Sequence, residues 1–369
     1  MKKSILFAFL FSATALFAQP KDAAKPADEW KIFGESQIRT ELDGRDFSNL
    51  THPYSFTHMR TRVGVEKQFG SRIFMKATLQ DTRLWGKETS TTTDLKNVDL
   101  HEGYVRFSDF LEIPISIQAG RFEMNYGTSR FISSVQWFWN ARSFDGFKIR
   151  YQDKVFWADL FGTTIATKNA YGYISTLDTA KLWYNGNATP RSDSTLFLYG
   201  LWTNTKFNAN HNADIFAYYE RDNVKSNGKD ADVNRYTVGA TYWGSLTDEI
   251  KIIAEGAYQF GNMNLKNPSG ALQNYDLAAY TGGVKFKYDS KPIGFEAAVD
   301  VLSGTKAEDW ADGKWHNFER PYASSLAFYG RMSYLSTSNQ ATYGNCGIID
   351  PNLKINFESE KKEIQAYLH

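Results

Sequence analysis

Cysteine is nearly absent. Cys346 stands alone among 369 residues, which excludes a disulfide framework and a thiolate zinc cluster, since both need several thiols. An excess of one charge is missing too. With 42 Lys and Arg against 41 Asp and Glu, the formal net charge is +1, so no global field draws the chain to the phosphates of nucleic acid. There is no G-x-S-x-G elbow, no G-x-x-x-x-G-K-[ST] phosphate loop and no H-E-x-x-H, and His52, His58, His101, His211, His316 and His369 do not cluster. The sequence therefore reads as a non-enzyme with no cofactor and no metal site. Asp222 to Asn234 sets Asp222, Asn223, Asp230 and Asp232 around Gly228, but without the spacing and closing Glu of a calcium loop, and reads as a solvated acidic loop. Cys346, in a Gly- and Asn-rich stretch, reads as an inert thiol.

Long apolar runs are also missing. Beyond the first twenty residues nothing approaches the roughly 18 apolar residues of a membrane helix. The one exception is MKKSILFAFLFSATALFAQP, where Lys2 and Lys3 precede an apolar run from Ile5 to Phe11 and then small residues, the layout of a secretory leader. Cleavage after Ala18 or after Ala15 fits equally. Losing Lys2 and Lys3 leaves 40 basic against 41 acidic residues, a net charge of −1. The expected organisation is a leader over 1–18, a short periplasmic segment over 19–29, and one β domain over 30–369.

What the chain has in quantity is aromatic residues, 16% of the total, and a two-residue alternation of polarity, the period of a strand with two different faces. From Lys31 to Leu42 one face carries Lys31, Phe33, Glu35, Gln37, Arg39 and Glu41, the other Ile32, Gly34, Ser36, Ile38, Thr40 and Leu42. His58, Arg60, Arg62, Glu66 and Gln68 oppose Met59, Val63, Val65 and Phe69; then Lys76, Thr78 and Gln80 oppose Met75, Ala77 and Leu79. Comparable segments fall near 100–107, 113–121, 144–151, 155–163, 195–202, 213–221, 235–243, 250–260, 277–288, 295–302, 326–334, 353–357 and 363–368, about sixteen in all.

Connections alternate in kind. Gly70-Ser71, Gln152-Asp153-Lys154 and Asp289-Ser290-Lys291-Pro292 are short turns, whereas 87–98, 185–194, 223–232, 263–274 and 304–321 are long and polar. Tyr54, Phe56, Phe69, Trp85, Phe107, Tyr151, Trp202, Tyr242, Trp243, Phe260, Tyr288 and Tyr334 fall near strand ends, where two interfacial girdles would lie. A transmembrane antiparallel up-and-down β-barrel of 16–18 strands accounts for these features together. A soluble sandwich shares the alternation, but at this length two domains and a visible linker are expected, and none is seen.

The most distinctive stretch is IQAGRFEMNYGTSRFISSVQWFWNARSFDGFKIRY. Its Gly120-Arg121, Tyr126-Gly127 with Arg130, Trp137, Asn140, Arg142 and Phe144-Asp145-Gly146 resemble the pattern of the alginate export family of outer-membrane porins. Met59-Arg60-Thr61-Arg62, Gln80-Asp81 with Arg83 and Trp85-Gly86, and Phe328-Tyr329-Gly330 agree with it. The resemblance implies an eighteen-stranded outer-membrane barrel passing an anionic uronate polymer along a ladder of Arg and Lys. It also implies a last hairpin with a terminal aromatic, whereas this sequence stops at Leu368-His369, giving the expectation that the hairpin is missing.

Residue chemistry gives a parallel account. Arg121, Arg130, Arg142, Lys148 and Arg150 accompany only Glu123 and Asp145. Facing a lumen, they make an anion-selective constriction, because guanidinium forks suit carboxylates and low-dielectric walls focus the field. Arg39, Arg60, Arg62 and Arg83 join from neighbouring strands, and an inward loop between Arg121 and Phe144 sets the bore. Equally, each Arg pairs with a lumenal acid, as Arg60 or Arg62 with Glu35, Glu41 or Glu66. Asp145 is expected to orient Arg142, and Trp137, Phe138 and Trp139 to pack on the wall or stack on sugars. The expected partners are outer-membrane lipid and an anionic saccharide, with periplasmic export partners unidentified and nucleic acid excluded. The alternatives are a general small-solute porin, an adhesin or receptor barrel with a plugged lumen, or a soluble carbohydrate-binding β protein.

Overall fold

Where polarity alternates, the chain forms strands, and nearly every expected segment becomes one. In the computed structural model, which describes residues 11–16, 29–43, 54–87, 97–167, 195–222, 232–266, 272–324, 347–359 and 362–368, the strands are β1 (Phe11–Leu16), β2 (Lys31–Asp43), β3 (Tyr54–Phe69), β4 (Ile73–Leu84), β5 (Val98–Phe107), β6 (Ile115–Phe122), β7 (Phe144–Gln152), β8 (Phe156–Thr167), β9 (Thr195–Lys206), β10 (His211–Asp222), β11 (Val233–Ser245), β12 (Ile250–Lys266), β13 (Leu272–Ser290), β14 (Ile293–Leu302), β15 (Lys314–Trp315), β16 (Ile348–Ser359) and β17 (Lys362–Leu368). The segment expected at 326–334 lies outside the described residues, as do Cys346 and the middle of the acidic 222–234 loop.

The chain divides into two compact units, one of residues 1–125 with 133–145, the other of 126–132 with 146–369. In the first, β2 to β6 form an antiparallel meander, with Glu35 opposite Arg62 and Arg62 opposite Gln80. Strand β1, inside the expected leader, pairs with β2 from Phe11 opposite Thr40 to Leu16 opposite Glu35. In the second, β8 to β14 continue the up-and-down order, β16 pairs with β14, and β17 pairs with β16.

Two expected loops are replaced by structure. At the ends of 263–274 the ladder continues, with Met263 opposite Tyr275 and Asn264 opposite Asn274; the polar side chains read as a loop, but main-chain pairing does not need apolar side chains. Residues 304–321 hold a short helix, α1 (Ala307–Ala311), and β15, which runs parallel to β13. Trp315 and Phe318 are buried there.

Burial is inverted relative to a soluble sheet. In β11, Arg235 and Thr237 are 3% and 0% exposed while Tyr236 and Val238 are 43% and 41% exposed; in β13, Thr281 is 4% exposed and Tyr280 56%. In the first unit, Arg39, Arg60, Arg62, Thr78 and Gln80 are buried and Ile32, Ile38, Val63 and Leu79 exposed. A soluble sandwich places the apolar face inside; membrane strands show apolar side chains to lipid and keep polar ones within. Trp202 is the exception among the expected girdle residues that are described. It is fully buried, because its position in β9 lies on the inner face, where it stacks on Phe216 at 4.1 Å between ring centroids.

Candidate functional site

The segment after β6 is divided between the units, residues 133–145 belonging to the first and 126–132 to the second, and each unit holds its own part differently. In the first unit, residues 133–145 are gripped by arginines from adjacent strands. The β2–β3 register sets Gln37 opposite Arg60 and Glu35 opposite Arg62, so Arg39, Arg60 and Arg62 rise from one face. Arg39 donates from Nη1 to the Trp137 main-chain oxygen, lies 4.2 Å over the Trp137 ring, and pairs with Glu41 at 2.5 Å. Arg60 donates from Nη1 to the carbonyls of Gln136 (3.0 Å) and Phe138 (3.1 Å), while Glu35 accepts from its Nη2 at 2.5 Å. Arg62 donates to Gln80 Oε1 at 2.7 Å and Gln136 Oε1 at 2.9 Å. From β4, Gln80 donates to the Asn140 carbonyl at 2.8 Å and Thr82 to Asn140 Oδ1 at 3.0 Å.

A β-bulge adds a residue that alternation does not reveal. Thr78 pairs with Glu102 but Leu79 pairs with Leu100, leaving His101 as the extra residue, so His101 and Glu102 both turn to the polar face. His101 Nε2 lies 2.6 Å from Glu123 Oε1, and its Nδ1 lies 3.2 Å from Ser143 Oγ. Glu123 also accepts from Gln136 Nε2 at 2.5 Å. Burial pushes the Glu123 carboxyl up, but the hydrogen bonds with His101 and Gln136, with the charges of His101 and Arg62, bring it below its ordinary value. At Gly120, φ is +128° and a Cβ would fall 2.2 Å from the Gly103 oxygen, so only glycine fits the Gly-Arg motif.

The remaining expected residues are placed as follows. Arg83 binds Asp81 at 2.7 Å, and both lie on the face of β4 opposite Thr78 and Gln80. Arg121 binds Asp145 at 2.7 Å, on the face opposite Gln118. These two cations stand off the polar face because each lies three positions, an odd step, along its strand from Gln80 or Gln118, and counting cations along the sequence ignores that parity. Asp145 partners Arg121 rather than orienting Arg142, which donates instead from Nη1 to the Ser133 carbonyl at 3.1 Å and from its main-chain N–H to the Ser134 carbonyl at 2.6 Å.

In the second unit, residues 126–132 are held by burial. Tyr126 stacks on Trp202 at 4.9 Å, and its hydroxyl donates to Asp159 at 2.8 Å; burial first, then the Asp159 charge, raise the phenol well above its ordinary value. Phe131 packs on Phe216 at 4.7 Å. Gly127, at φ +57°, brings the chain so close that a Cβ would lie 3.2 Å from the Trp202 ring. Arg130, 3% exposed, donates to Glu255 and Asp300 at 2.5 Å each, and Thr128 donates to Glu255 at 2.6 Å. Arg150 forms a two-pronged pair with Asp159 at 2.5 and 2.7 Å, with Lys148 3.8 Å from the same carboxylate. Deeper, Arg235 pairs with Glu319 at 2.5 Å.

Two cavities flank the gripped loop in the first unit. One, of about 450 Å³, lies toward the short-turn end, lined by Arg60, Arg62, Lys76 and His101 against Glu35, Glu102 and Glu123. The other, of about 360 Å³, lies toward the long-loop end beside Trp139. Among the described residues, no group of His, Cys, Asp and Glu is arranged to hold a metal ion.

Comparison with known proteins follows this geometry. The sequence profile described as alginate export matches residues 32–363. No curated protein matches. Among solved structures, the outer membrane channel DcaP of Acinetobacter baumannii is 8% identical, with 93% of this chain and 91% of that one covered, at a TM-score of 0.45. A mutant of the Rhodopseudomonas blastica porin is 10% identical, with 91% and 93% covered, at 0.43. The family match spans nearly the whole meander and includes the Gly120 to Gly146 motif and the loop it carries. The chain belongs to the alginate export family, and it is an outer-membrane β-barrel channel.

Proposed function

We propose that this channel passes anionic saccharides, alginate-like uronate chains or related anionic oligosaccharides, by passive diffusion past the loop of residues 133–145. The observation that carries this reading is the set of guanidinium groups at the level of the loop. Arg39, Arg60 and Arg62 are held side by side on the polar face, and a cavity of about 450 Å³ opens beside Arg60 and Arg62. Fixed cations beside a narrowing lower the barrier for an anion and raise it for a cation. The reading assigns no catalytic step, and its partners are outer-membrane lipid against the apolar face and the saccharide within.

A second reading has its own support. Glu35, Glu41 and Glu123 lie within 4 Å of these same arginines, so the field is local and alternating, which suits a small-solute porin without uronate preference. Planar-bilayer conductance under a salt gradient separates the two. Anion-selective current blocked by uronate oligomers is the expected result; unselective current indifferent to them supports the second reading. Cation selectivity, or no current, overturns the first.

A further inference from the structure

The cavity at the long-loop end differs in chemistry from its charge-paired neighbour. Its described lining includes His58, Thr82, Arg83, Lys87, Trp139 and Asn140; no Asp or Glu is among the described lining residues, and Arg83 is turned to Asp81. Lys87 has no carboxylate partner among the described residues. Asn140 is set in orientation twice, its Oδ1 accepting from Thr82 and its main-chain oxygen from Gln80, which commits the acceptor and leaves the Nδ2 donor available. Trp139 is 38% exposed, yet fixed by the His58 ring 3.7 Å away between centroids.

A fixed, accessible indole suits the C–H face of a pyranose ring, because an apolar surface gains by covering another. Amide N–H groups and an ammonium without a carboxylate partner among the described residues suit a carboxylate, and this one would meet no competing acid among the described lining residues. The other cavity has the opposite character, since every cation in it faces Glu35, Glu102 or Glu123.

We propose that this cavity is a docking site for one uronic-acid unit of an oligosaccharide, its ring against Trp139 and its carboxylate at Lys87 and the Asn140 amide. The proposal rests on the anionic-saccharide reading above and deepens it by separating capture from passage.

The test is equilibrium binding of a uronate trisaccharide and of a neutral glucose trisaccharide to the full chain in detergent, by titration calorimetry, alongside bilayer conductance of the same preparations. Lys87→Gln is expected to weaken uronate binding about fivefold, as for an exposed ion pair, and Lys87→Arg to restore it. Trp139→Ala is expected to weaken binding about tenfold and Trp139→Phe to recover most of it, so a folding defect is told apart from loss of the stacking surface. Lys154→Gln, in a short turn at the other end of the strands, serves as the control and is expected to leave binding unchanged. Binding that ignores Lys87 and Trp139, or equal binding of the neutral sugar, overturns the docking site while leaving an anion-selective current intact. Loss of anion selectivity in the unaltered chain instead removes the function on which it rests.

Discussion

Two stretches of one loop are fastened by opposite means. Residues 126–132 are held by burial, with Tyr126 on Trp202, Phe131 on Phe216 and Arg130 locked between Glu255 and Asp300. Residues 133–145 are held by guanidinium groups that reach main-chain oxygens at Gln136, Trp137 and Phe138. The first attachment removes side chains from water. The second leaves Phe138, Trp139 and Asn140 exposed and grips the chain behind them. The contrast teaches that one stretch of a loop can be fastened through its side chains and the next through its main chain, which leaves side chains of the second open.

Breaking the buried side gives the largest effect. Arg130→Ala leaves Glu255 and Asp300 facing each other without a cation, and the expected loss is about 3–5 kcal/mol, read from denaturant unfolding of the folded protein in detergent and little changed by salt. On the polar side, Arg60→Ala frees two carbonyls and leaves Glu35 only its longer 3.7 Å contact with Arg62, a loss of about 1–3 kcal/mol. Its sharper sign is electrical: single-channel conductance rises and becomes noisier, whereas Arg130→Ala that still inserts keeps a quieter trace. Tyr126→Phe keeps the ring stack and removes only the bond to Asp159, so about 1 kcal/mol is expected, with conductance unchanged.

The smallest effect is acid sensitivity confined to the polar side. The folded Glu123 carboxyl titrates below its ordinary value, so its stabilisation is fully present above the ordinary glutamate pKa and lost as pH falls through the lower folded one. Current noise is expected to rise on acidification through that window, and Glu123→Gln to make the trace pH-independent there. A pH-independent trace in the unaltered channel would show that the His101–Glu123 contact does not steady the loop.

The strands were legible because alternation survives wherever one face meets lipid and the other water. The partners were not. Sequence showed that Arg60 and Glu35 share a face, but Asp159, Glu255 and Asp300 come to Arg150 and Arg130 through register and loop path, which no local pattern encodes. His101 was hidden by the bulge, although the adjacent polar pair His101-Glu102 before Gly103 is the mark such a break leaves. Arg121 was counted for the density of cations around it and Arg83 as joining from a neighbouring strand, while their odd offset from Gln118 and Gln80 sends them to the other face. Trp202 was read by its place near a strand end, and its parity with Leu198 and Gly200 puts it inside.

The grip of Arg39 and Arg60 on main-chain oxygens has an evolutionary consequence. Every residue carries the same carbonyl, so, apart from the Arg39 contact with the Trp137 ring, the clasp does not depend on which side chains follow Gln136. Substitutions at Phe138 and Trp139 can accumulate without unfastening the loop, and a lineage of such channels is free to exchange one cargo for another by rewriting a few letters on a fixed frame.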